Sequence, residues 1–430
     1  MKRAVSILTK AAMAGAIVTG AITTLGGPAS AAGSSAPGVT ANSITVGSIS
    51  TQTGAIASNF SSLIYGEEAY FDYVNALGGV NGRKIDYKYK LDDGGNPSTF
   101  NQLANTLINQ DHVFAVTGVA TAFFTPNIFV EAKIPTYGYN VTENWAGPGI
   151  TNLFAAGGSV IYLPAEAVGL AYLADKVHAK SIALVAYGIA SSSNACAAGA
   201  LGLAQAGYHV SYTDFKINYP GTTVATDVQR MKQAGSDLVV SCMDVQGNIT
   251  MARAIQQYGV KMTQLWLSGN DQTTLDQNQS LMQGVYFDTF HVPFSAPTAN
   301  YPGLKLYLSV MKKFEKKYVY DEVAIQGWMS AALFVQGLKA AGKNPTQQAV
   351  INADNKLTAF TANGLTTPTN WRDAGHFGHA PPYCGAYIKV VGDKYVPALN
   401  TSKTSVYICF GTINAKHPKP EPPPPGTPTG

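Results

Sequence analysis

The hydrophobic and polar positions near the beginning of the chain follow two periods in turn. Residues 63–77 place apolar side chains at helical spacing, and the pair Gly78-Gly79 is expected to end that helix, because glycine adopts the left-handed C-cap conformation easily. Residues 85–91 alternate apolar or aromatic side chains with Asp and Lys, the period of a half-buried strand. Residues 100–108 return to helical spacing, with Ser98 as the expected N-cap. This region predicts a helix, a strand and a second helix in close succession.

The same alternation continues along most of the chain. Further strands are predicted at residues 44–49, 113–116, 182–187, 238–242, 265–267, 383–391 and 405–410. Helices are predicted near residues 125–126 and at residues 195–206, 249–255, 304–318 and 323–341, with a turn at Gly118 after the third strand. Strands that alternate with helices form parallel sheets covered on both faces by helices. The predicted fold class is therefore α/β, and a length of 430 residues favours two domains.

The charge of the chain gives no reason to expect a nucleic-acid partner. Charged residues make up 13% of the sequence, and the net charge is +4. Lys2, Arg3 and Lys10 supply three of the 29 basic residues, which leaves 26 against 25 acidic residues in the rest of the chain. A nearly neutral surface does not attract a polyanion over distance.

The first 31 residues have the features of an export signal. Lys2-Arg3 are followed by an apolar run at residues 11–25 and by the small-residue pattern Ala29-Ser30-Ala31. A membrane anchor is the alternative, although the run is short and rich in Gly, Ala and Thr. No cysteine lies near the cleavage site, so a lipid anchor is not expected there. We expect a cleaved signal peptide (1–31), a polar linker (32–42) and a secreted or extracytoplasmic protein.

Four cysteines occur in a chain that we expect to be exported, and an even number suggests two disulfides. Three pairings are possible from sequence. We favour Cys196–Cys242 and Cys384–Cys409, because each pair stays within one local unit, and buried free thiols are the alternative. The proline-rich tail at residues 416–430 cannot form a helix or a strand and is expected to be extended.

Sequence motifs of common enzymes and metal sites are absent from the chain. It has no Walker A loop, no Gly-x-Ser-x-Gly elbow and no His-Glu-x-x-His motif. Asp92-Asp93 are adjacent on a strand and point to opposite faces, so they are poorly placed to flank one glycosidic bond. His376 and His379 lie near Cys384 in a loop that we interpret as surface rather than metal-binding. We expect no cofactor, no metal and no enzymatic activity.

Five stretches of the sequence together resemble a known family. The segments "ITVGSISTQTG", "YVNALGGVNGRKI", "YKLDDGGNPSTF", "VFAVTGVATAFFTP" and "IPTYGYNVTEN" are similar in order and approximate spacing to those of type I periplasmic binding proteins, in particular the leucine/isoleucine/valine-binding proteins of ABC importers. The resemblance covers residues 43–410. It implies two Rossmann-like lobes with parallel sheets joined by a three-crossing hinge, the first lobe from residues 43–158 and 292–360 and the second from residues 159–291 and 361–415.

The resemblance also implies where a small-molecule ligand binds. The ligand sits between the lobes at the carboxyl ends of the strands, where helix N-termini converge. The family's binding positions correspond to turns after the strands, and the resemblance places ten candidates there: Gln52, Asn59, Phe60, Ala122, Phe123, Asn140, Thr142, Ser191, Asp244 and Asn270.

Several of these positions depart from the family pattern. Ala122 stands where the family usually has a serine that holds a ligand carboxylate, so the usual carboxylate clamp is in doubt and Phe123 with Phe124 form an apolar wall or belong to the core. Thr142 matches a carboxylate-binding threonine or is a plain helix cap. Asp244 replaces an aromatic residue and is a candidate partner for a ligand ammonium group. Asn270 or Asp271 stands at the family's acidic ammonium position, and a cap of the following turn is the alternative for Asp271.

The resulting hypothesis is a monomeric solute-binding protein that delivers an amino acid or a related polar or amphipathic compound to an ABC permease. A secreted sensor for a small effector, with no transport role, is the second hypothesis. A secreted enzyme is the third, and the missing nucleophile–base motif argues against it.

Overall fold

The computed structural model describes residues 36–220, 223–315, 320–378, 381–399 and 405–429. The expected signal peptide, the first residues of the expected linker and His379 lie outside the described residues. None of the described helices is long and apolar enough to cross a membrane.

The first sheet contains five strands that all run parallel. Their order is β2-β1-β3-β4-β5. The strands are β1 (Ser43–Ser50), β2 (Lys84–Asp92), β3 (Ala115–Ala120), β4 (Thr136–Gly138) and β5 (Leu153–Phe154).

The second sheet is mixed. Its order is β12-β11-β10-β9-β8-β6-β7, and β13 pairs with β11 beside this path. Strands β6 to β10 pair in parallel, whereas β11, β12 and β13 add an antiparallel edge. The strands are β6 (Ile182–Tyr187), β7 (Val210–Ile217), β8 (Leu238–Ser241), β9 (Thr263–Trp266), β10 (Tyr286–Thr289), β11 (Tyr383–Val391), β12 (Lys394–Ala398) and β13 (Tyr407–Phe410).

Helices cover both faces of each sheet. The first sheet carries α1 and α10 on one face and α2 and α3 on the other, while α4 and α5 lie opposite α6, α7 and α8 on the second sheet. The described helices are α1 (Leu63–Ala76), α2 (Pro97–Asn109), α3 (Asn127–Ala132), α4 (Val168–Lys176), α5 (Ala190–Gln205), α6 (Ala225–Gln233), α7 (Val245–Gln257), α8 (Gln272–Met282), α9 (Pro302–Phe314), α10 (Glu322–Ala341) and α11 (Gln347–Asp354).

The chain passes three times between the two sheets, after β5, after β10 and after α11, because α9, α10 and α11 belong to the packing around the first sheet. This architecture confirms the predicted α/β fold with two Rossmann-like units and a three-crossing connection. The antiparallel edge of the second sheet is an addition that the pattern of alternating strands and helices did not predict.

Helices α1 and α10 approach each other closely at two glycines. A Cβ on Gly66 would overlap the carbonyl oxygen of Ala324, and a Cβ on Gly327 would overlap the carbonyl oxygen of Leu63. The close approach lets Trp328 of α10 pack in the core, where it is 1% exposed. Small residues at this crossing therefore set the distance between the two helices.

Two local predictions near the first sheet are wrong. The N-cap of α2 is Asn96, whose side chain accepts from the N–H groups of Ser98 and Thr99, with Pro97 as the first helical residue. Gly118 lies inside β3 and does not form the predicted turn. A Cβ there would overlap the buried carboxyl of Glu67, so this glycine makes room for that side chain within the strand.

Both favoured disulfides are present, and the described chain has no free cysteine. Cys196 of α5 bonds to Cys242 at the end of β8, and Cys384 of β11 bonds to Cys409 of β13, its partner in the strand register. The first bridge joins a helix and a strand end beside the site described below.

The described part of the proline-rich tail forms no helix or named strand, as predicted, but it is extended only in part, because it bends at residues 415–417 and turns at residues 424–427. The N–H of Glu421 donates to the carbonyl of Cys409 at 2.7 Å. The imidazole of His417 contacts the carboxylate of Asp175 at 3.0 Å, and the hydroxyl of Ser405 donates to the carbonyl of Pro428 at 3.3 Å. The described part of the tail is therefore packed against the fold.

Candidate functional site

A cleft of about 360 Å³ lies where the strand ends of the two sheets face each other. Turns after β1, β3 and β4 form one wall, and turns after β6, β7, β8 and β9 form the other. In parallel α/β sheets this edge is where loops and helix N-termini present polar groups to a ligand. Six of the ten sequence candidates line the cleft: Asn59, Phe60, Ala122, Asn140, Ser191 and Asp244.

Gln52 and Phe123 are not among the lining residues. The side-chain amide of Gln52 donates to the carbonyl of Leu91 at 3.1 Å, so it holds the ends of β1 and β2 together. Phe123 is half-buried and packs against the apolar cluster that includes Phe60 and Ile56. Phe124 is 2% exposed and stacks on Trp145 in the core, with ring centroids 4.4 Å apart.

Thr142 and Asn270 also lie outside the lining. Thr142 precedes the short 3-10 helix Glu143–Trp145, is 8% exposed, and makes no side-chain cap bond. Asn270 is 1% exposed, and its backbone N–H donates to the carboxyl of Glu322 at 3.3 Å. Both residues have chain neighbours that line the cleft, but their own side chains are buried and do not line it.

Asp244 is the most connected of the candidates in the cleft. It caps α7 by accepting from the N–H of Gly247 at 2.8 Å, and it accepts from the hydroxyl of Tyr187 at 2.8 Å. The second oxygen accepts from the side-chain amide of Asn59 at 2.8 Å. Asn59 also donates to the hydroxyl of Tyr219 at 3.2 Å, so one amide on the first wall contacts two groups on the second.

A second polar contact crosses the cleft through Glu322, the first residue of α10. Its carboxyl accepts from the N–H of Gly269 at 3.0 Å and from that of Asn270 at 3.3 Å. Burial raises the pKa of Glu322 to about 7, and the two N–H donors oppose that rise. Asn59 and Glu322 therefore each connect the two walls of the cleft.

Other acidic residues at the strand ends have structural partners. Asp271 caps α8 by accepting from the N–H groups of Thr273 and Thr274, which confirms the cap interpretation. Asp93 accepts from the hydroxyl of Thr51 at 2.6 Å, and the neighbouring Asp92 accepts from the hydroxyl of Thr53 and from nearby backbone N–H groups. The two adjacent aspartates therefore organise the turns after β1 and β2.

Five aromatic residues are among the described residues that line the cleft, and sequence reasoning missed most of them. Tyr139 and Phe60 lie on the first wall with ring centroids 6.4 Å apart, and Tyr187 and Tyr219 lie on the second with centroids 4.8 Å apart. Tyr162 lies in the segment that follows β5 and lines the cleft as well. Tyr219 follows β7, a strand that the sequence analysis did not predict.

A second cavity of about 420 Å³ adjoins the cleft on the side where the chain crosses between the sheets. Tyr139, Asn140, Tyr162 and Glu322 line both spaces. Glu166 and Asp288 line this second cavity, which we name the hinge chamber, and burial raises the pKa of each to about 7. The cleft and the hinge chamber are therefore continuous.

Metal-binding side chains do not converge in the part of the chain that the structure describes. No group of three His, Cys, Asp or Glu residues there is placed to hold a metal ion. His376 contacts the side-chain oxygen of Asn355 through Nε2 at 2.6 Å, and Cys384 is in a disulfide.

The family model of periplasmic binding proteins matches residues 43–392, which include both sheets and the cleft. The chain belongs to this family. The resemblance to type I periplasmic binding proteins is thereby confirmed, and membership implies an extracytoplasmic location. No curated protein sequence is similar enough to this periplasmic binding protein to count as a relative.

Solved structures share the fold of this periplasmic binding protein at low sequence identity. A fatty acid ABC transporter substrate-binding protein from Thermomonospora curvata is 20% identical with a TM-score of 0.71, over 85% of this chain and 93% of that one. A branched-chain amino acid ABC transporter protein from Thermus thermophilus with bound valine is 16% identical, TM-score 0.71, over 85% and 97%. A solute-binding protein from R. palustris in complex with benzoate is 17% identical, TM-score 0.68, over 86% and 96%.

Proposed function

We propose that this periplasmic binding protein captures a small molecule in the cleft between its two sheets and delivers it to an ABC permease. The observation that carries the proposal is that both walls supply polar and aromatic side chains to one cleft and already contact each other across it. Asn59 bonds to Asp244, and Glu322 bonds to the backbone at Gly269. Contacts of this kind favour a closed arrangement that a bound ligand would stabilise further.

The proposed lobes are residues 43–158 with 292–360 and residues 159–291 with 361–415. The connections between the sheets would then act as the hinge. The proposed ligand contacts are the six lining candidates, with Asn59, Phe60, Ala122 and Asn140 on one lobe and Ser191 and Asp244 on the other. Binding and closure need no covalent step, so no catalytic residue is assigned.

The structural relatives support a small organic ligand but differ in which one. They include a fatty acid ABC transporter substrate-binding protein, a protein with bound valine and a protein in complex with benzoate. An amino acid and a related amphipathic compound both fit a cleft of about 360 Å³. All three are proteins of ABC transporters, which supports delivery to a permease.

A thermal-shift screen of the exported, oxidised protein tests the proposal. Amino acids, amides, amines, aromatic acids and small sugars form the library. A ligand that binds only the native state raises its stability by RT ln(1 + [L]/Kd), about 2.7 kcal/mol at a hundredfold excess over Kd. We expect at least one compound class to raise the melting temperature, and a flat response across the library contradicts the proposal. Uptake of that compound by cells with and without the gene then separates import from sensing.

A further inference from the structure

The described ionisable side chains that line the cleft and the hinge chamber are acidic, apart from tyrosines and one histidine. No Lys or Arg is among the described residues that line either space. The lining instead includes six carboxyl side chains: Asp244, Asp271, Asp321, Glu322, Glu166 and Asp288. Burial raises the pKa of the last three to about 7, so they are partly protonated at neutral pH, and none of the six is a cation. His291 lines the hinge chamber, and burial lowers the pKa of its imidazole to about 4, which leaves it neutral at pH 7. An anionic ligand would therefore find no cationic side chain in this part of the structure.

Helix N-termini are the other usual anion sites, and three of those at the cleft are occupied by the chain itself. Helices α7, α8 and α10 are preceded by Asp244, Asp271 and Asp321, and each of these carboxylates accepts from the first free N–H groups of its helix. The partial positive charge at these three ends is thus already matched by a negative one. Ala122 adds no hydroxyl donor on the opposite wall.

The aromatic rings supply the complementary surface for a cation. Tyr187 and Tyr219 lie with centroids 4.8 Å apart beside Asp244, and Phe60 and Tyr139 stand on the other wall. Ring faces attract ammonium groups, and a carboxylate beside them strengthens the attraction. The donors that contact Asp244 (the Asn59 amide, the Tyr187 hydroxyl and a backbone N–H) are all uncharged.

We propose that the ligand is a small organic cation, an amine or a quaternary ammonium compound with an apolar or aromatic body and without a carboxylate. The ammonium group lies among the tyrosines near Asp244, and the body extends along the apolar surface toward the hinge chamber. This inference rests on the proposed function and names the substrate class for the same site. Helix α5 also begins at the cleft, and its N-cap residue Ile189 makes no side-chain cap bond. A ligand carboxylate could accept from the N–H groups of this helix, so the test includes a carboxylate.

Titration calorimetry with compounds that are similar in shape but differ in charge tests the inference. The first series is phenethylamine, phenethyl alcohol and hydrocinnamate, and the second is choline and its uncharged tert-butyl isostere. We expect at least one cation to bind about tenfold or more tightly than its uncharged partner. We expect no saturable binding of hydrocinnamate.

Other outcomes separate this inference from the proposed function. Binding of the carboxylate or the alcohol as tight as that of the amine overturns the cation class and leaves a solute-binding protein. Binding of an amino acid, without binding of phenethylamine or choline, also overturns the cation class and leaves a solute-binding protein. If no compound of any charge binds and the broader thermal-shift screen is also flat, the proposed function fails as well.

The substitution Asp244→Asn provides a second readout. Asparagine is also a good helix N-cap, so the variant is expected to fold. Affinity for the cation should fall about tenfold to a hundredfold, while affinity for the uncharged partner should stay within about twofold. Asp393→Asn, in the exposed turn between β11 and β12, is the matched control and should change neither affinity. An unchanged cation affinity in Asp244→Asn contradicts the assigned role of this carboxylate.

Discussion

The side-chain amide of Asn59 lies 2.8 Å from the carboxylate of Asp244, although the two residues belong to turns that follow strands of different sheets. The separation in sequence is 185 residues. The same amide reaches the hydroxyl of Tyr219, so a single side chain connects the first wall of the cleft with two strand ends of the second. The two walls of the cleft are therefore held together by side-chain contacts within the chain.

Removal of that amide should favour an open cleft. In Asn59→Ala the two hydrogen bonds across the cleft are lost, which we expect to destabilise the closed form by about 1–2 kcal/mol. Small-angle X-ray scattering of the ligand-free protein should show a larger radius of gyration for the variant than for the natural chain. Asn105→Ala, on the exposed face of α2, is the control and should scatter like the natural protein. Identical scattering of all three proteins would argue against a latch at Asn59.

Glu67 should make the stability of the protein fall at alkaline pH. The carboxyl is fully buried and accepts from the hydroxyl of Tyr87 at 2.6 Å, and burial raises its pKa to about 8 from 4.5. The native state therefore holds a proton that the unfolded chain releases above pH 4.5. The resulting stability is complete below about pH 4.5 and is lost as the pH rises through about 8.

The variant Glu67→Gln tests this dependence because it keeps a neutral side chain at every pH. Urea unfolding between pH of about 5 and about 9 should show a smaller loss of stability for the variant than for the natural chain, by an amount on the order of a few kcal/mol. Glu131→Gln, on the exposed surface of α3, should behave like the natural protein. A variant whose pH profile parallels that of the natural chain would show that Glu67 ionises normally.

The two disulfides should contribute similar stability but affect ligand binding differently. Loss of Cys196–Cys242, which closes 46 residues, and of Cys384–Cys409, which closes 25, should each cost about 3–4 kcal/mol by the chain-entropy estimate. Cys242 lines the cleft, whereas Cys384 lines the hinge chamber.

Paired Cys→Ala variants allow this comparison in one protein. Urea unfolding measures the stability of each variant, and titration calorimetry measures the affinity for the ligand that the screen identifies. We expect Cys196→Ala with Cys242→Ala to lower the affinity more than Cys384→Ala with Cys409→Ala. The opposite order would place the binding site closer to the second bridge.

The contact between α1 and α10 should not tolerate a methyl group. In Gly66→Ala the new Cβ overlaps the carbonyl of Ala324, so the helices must separate although alanine is the better helix former. We expect the free energy of unfolding to fall by roughly 2 kcal/mol or more. Gln102→Ala, on the exposed face of α2, should change it by less than about 0.5 kcal/mol. Equal stability of Gly66→Ala and the natural chain would mean that the two helices are not held at this distance.

Sequence patterns predicted many of the described elements but missed others, including β7, β10, α4, α6, α8 and α11. Residues 182–187 form a strand with the predicted bounds. Every side chain in it is buried and apolar or aromatic, so its sequence indicates a buried strand clearly. The strand β7, with the sequence VSYTDFKI, mixes polar and apolar residues on a half-buried edge and was not predicted. Tyr219 follows β7 and was missed for that reason, because a residue at a strand end can be recognised only when the strand itself is predicted.

Sequence could predict a site residue that directly follows a recognised strand. It could not predict a residue that reaches the cleft only through the packing of helices and sheets. Asp244 follows a clear strand, so its position at the cleft could be expected. Glu322 resembles any acidic residue at the start of a helix, and only the packing of α10 against the first sheet brings it to the backbone of Gly269. Asn270, which follows Gly269, was expected to face the ligand, but its side chain is buried and is not among the lining residues of the cleft.

Hydrogen exchange of the natural protein, with and without the compound that the thermal-shift screen identifies, tests the central claim most directly. The account predicts slower exchange on both walls at once, in peptides that cover residues 56–63 and 139–142 on one side and residues 187–195 and 242–248 on the other. The C-terminal segment from residue 411 onward should exchange at the same rate in both states. Protection confined to one wall, or found only in that segment, would contradict capture of the ligand between the two sheets.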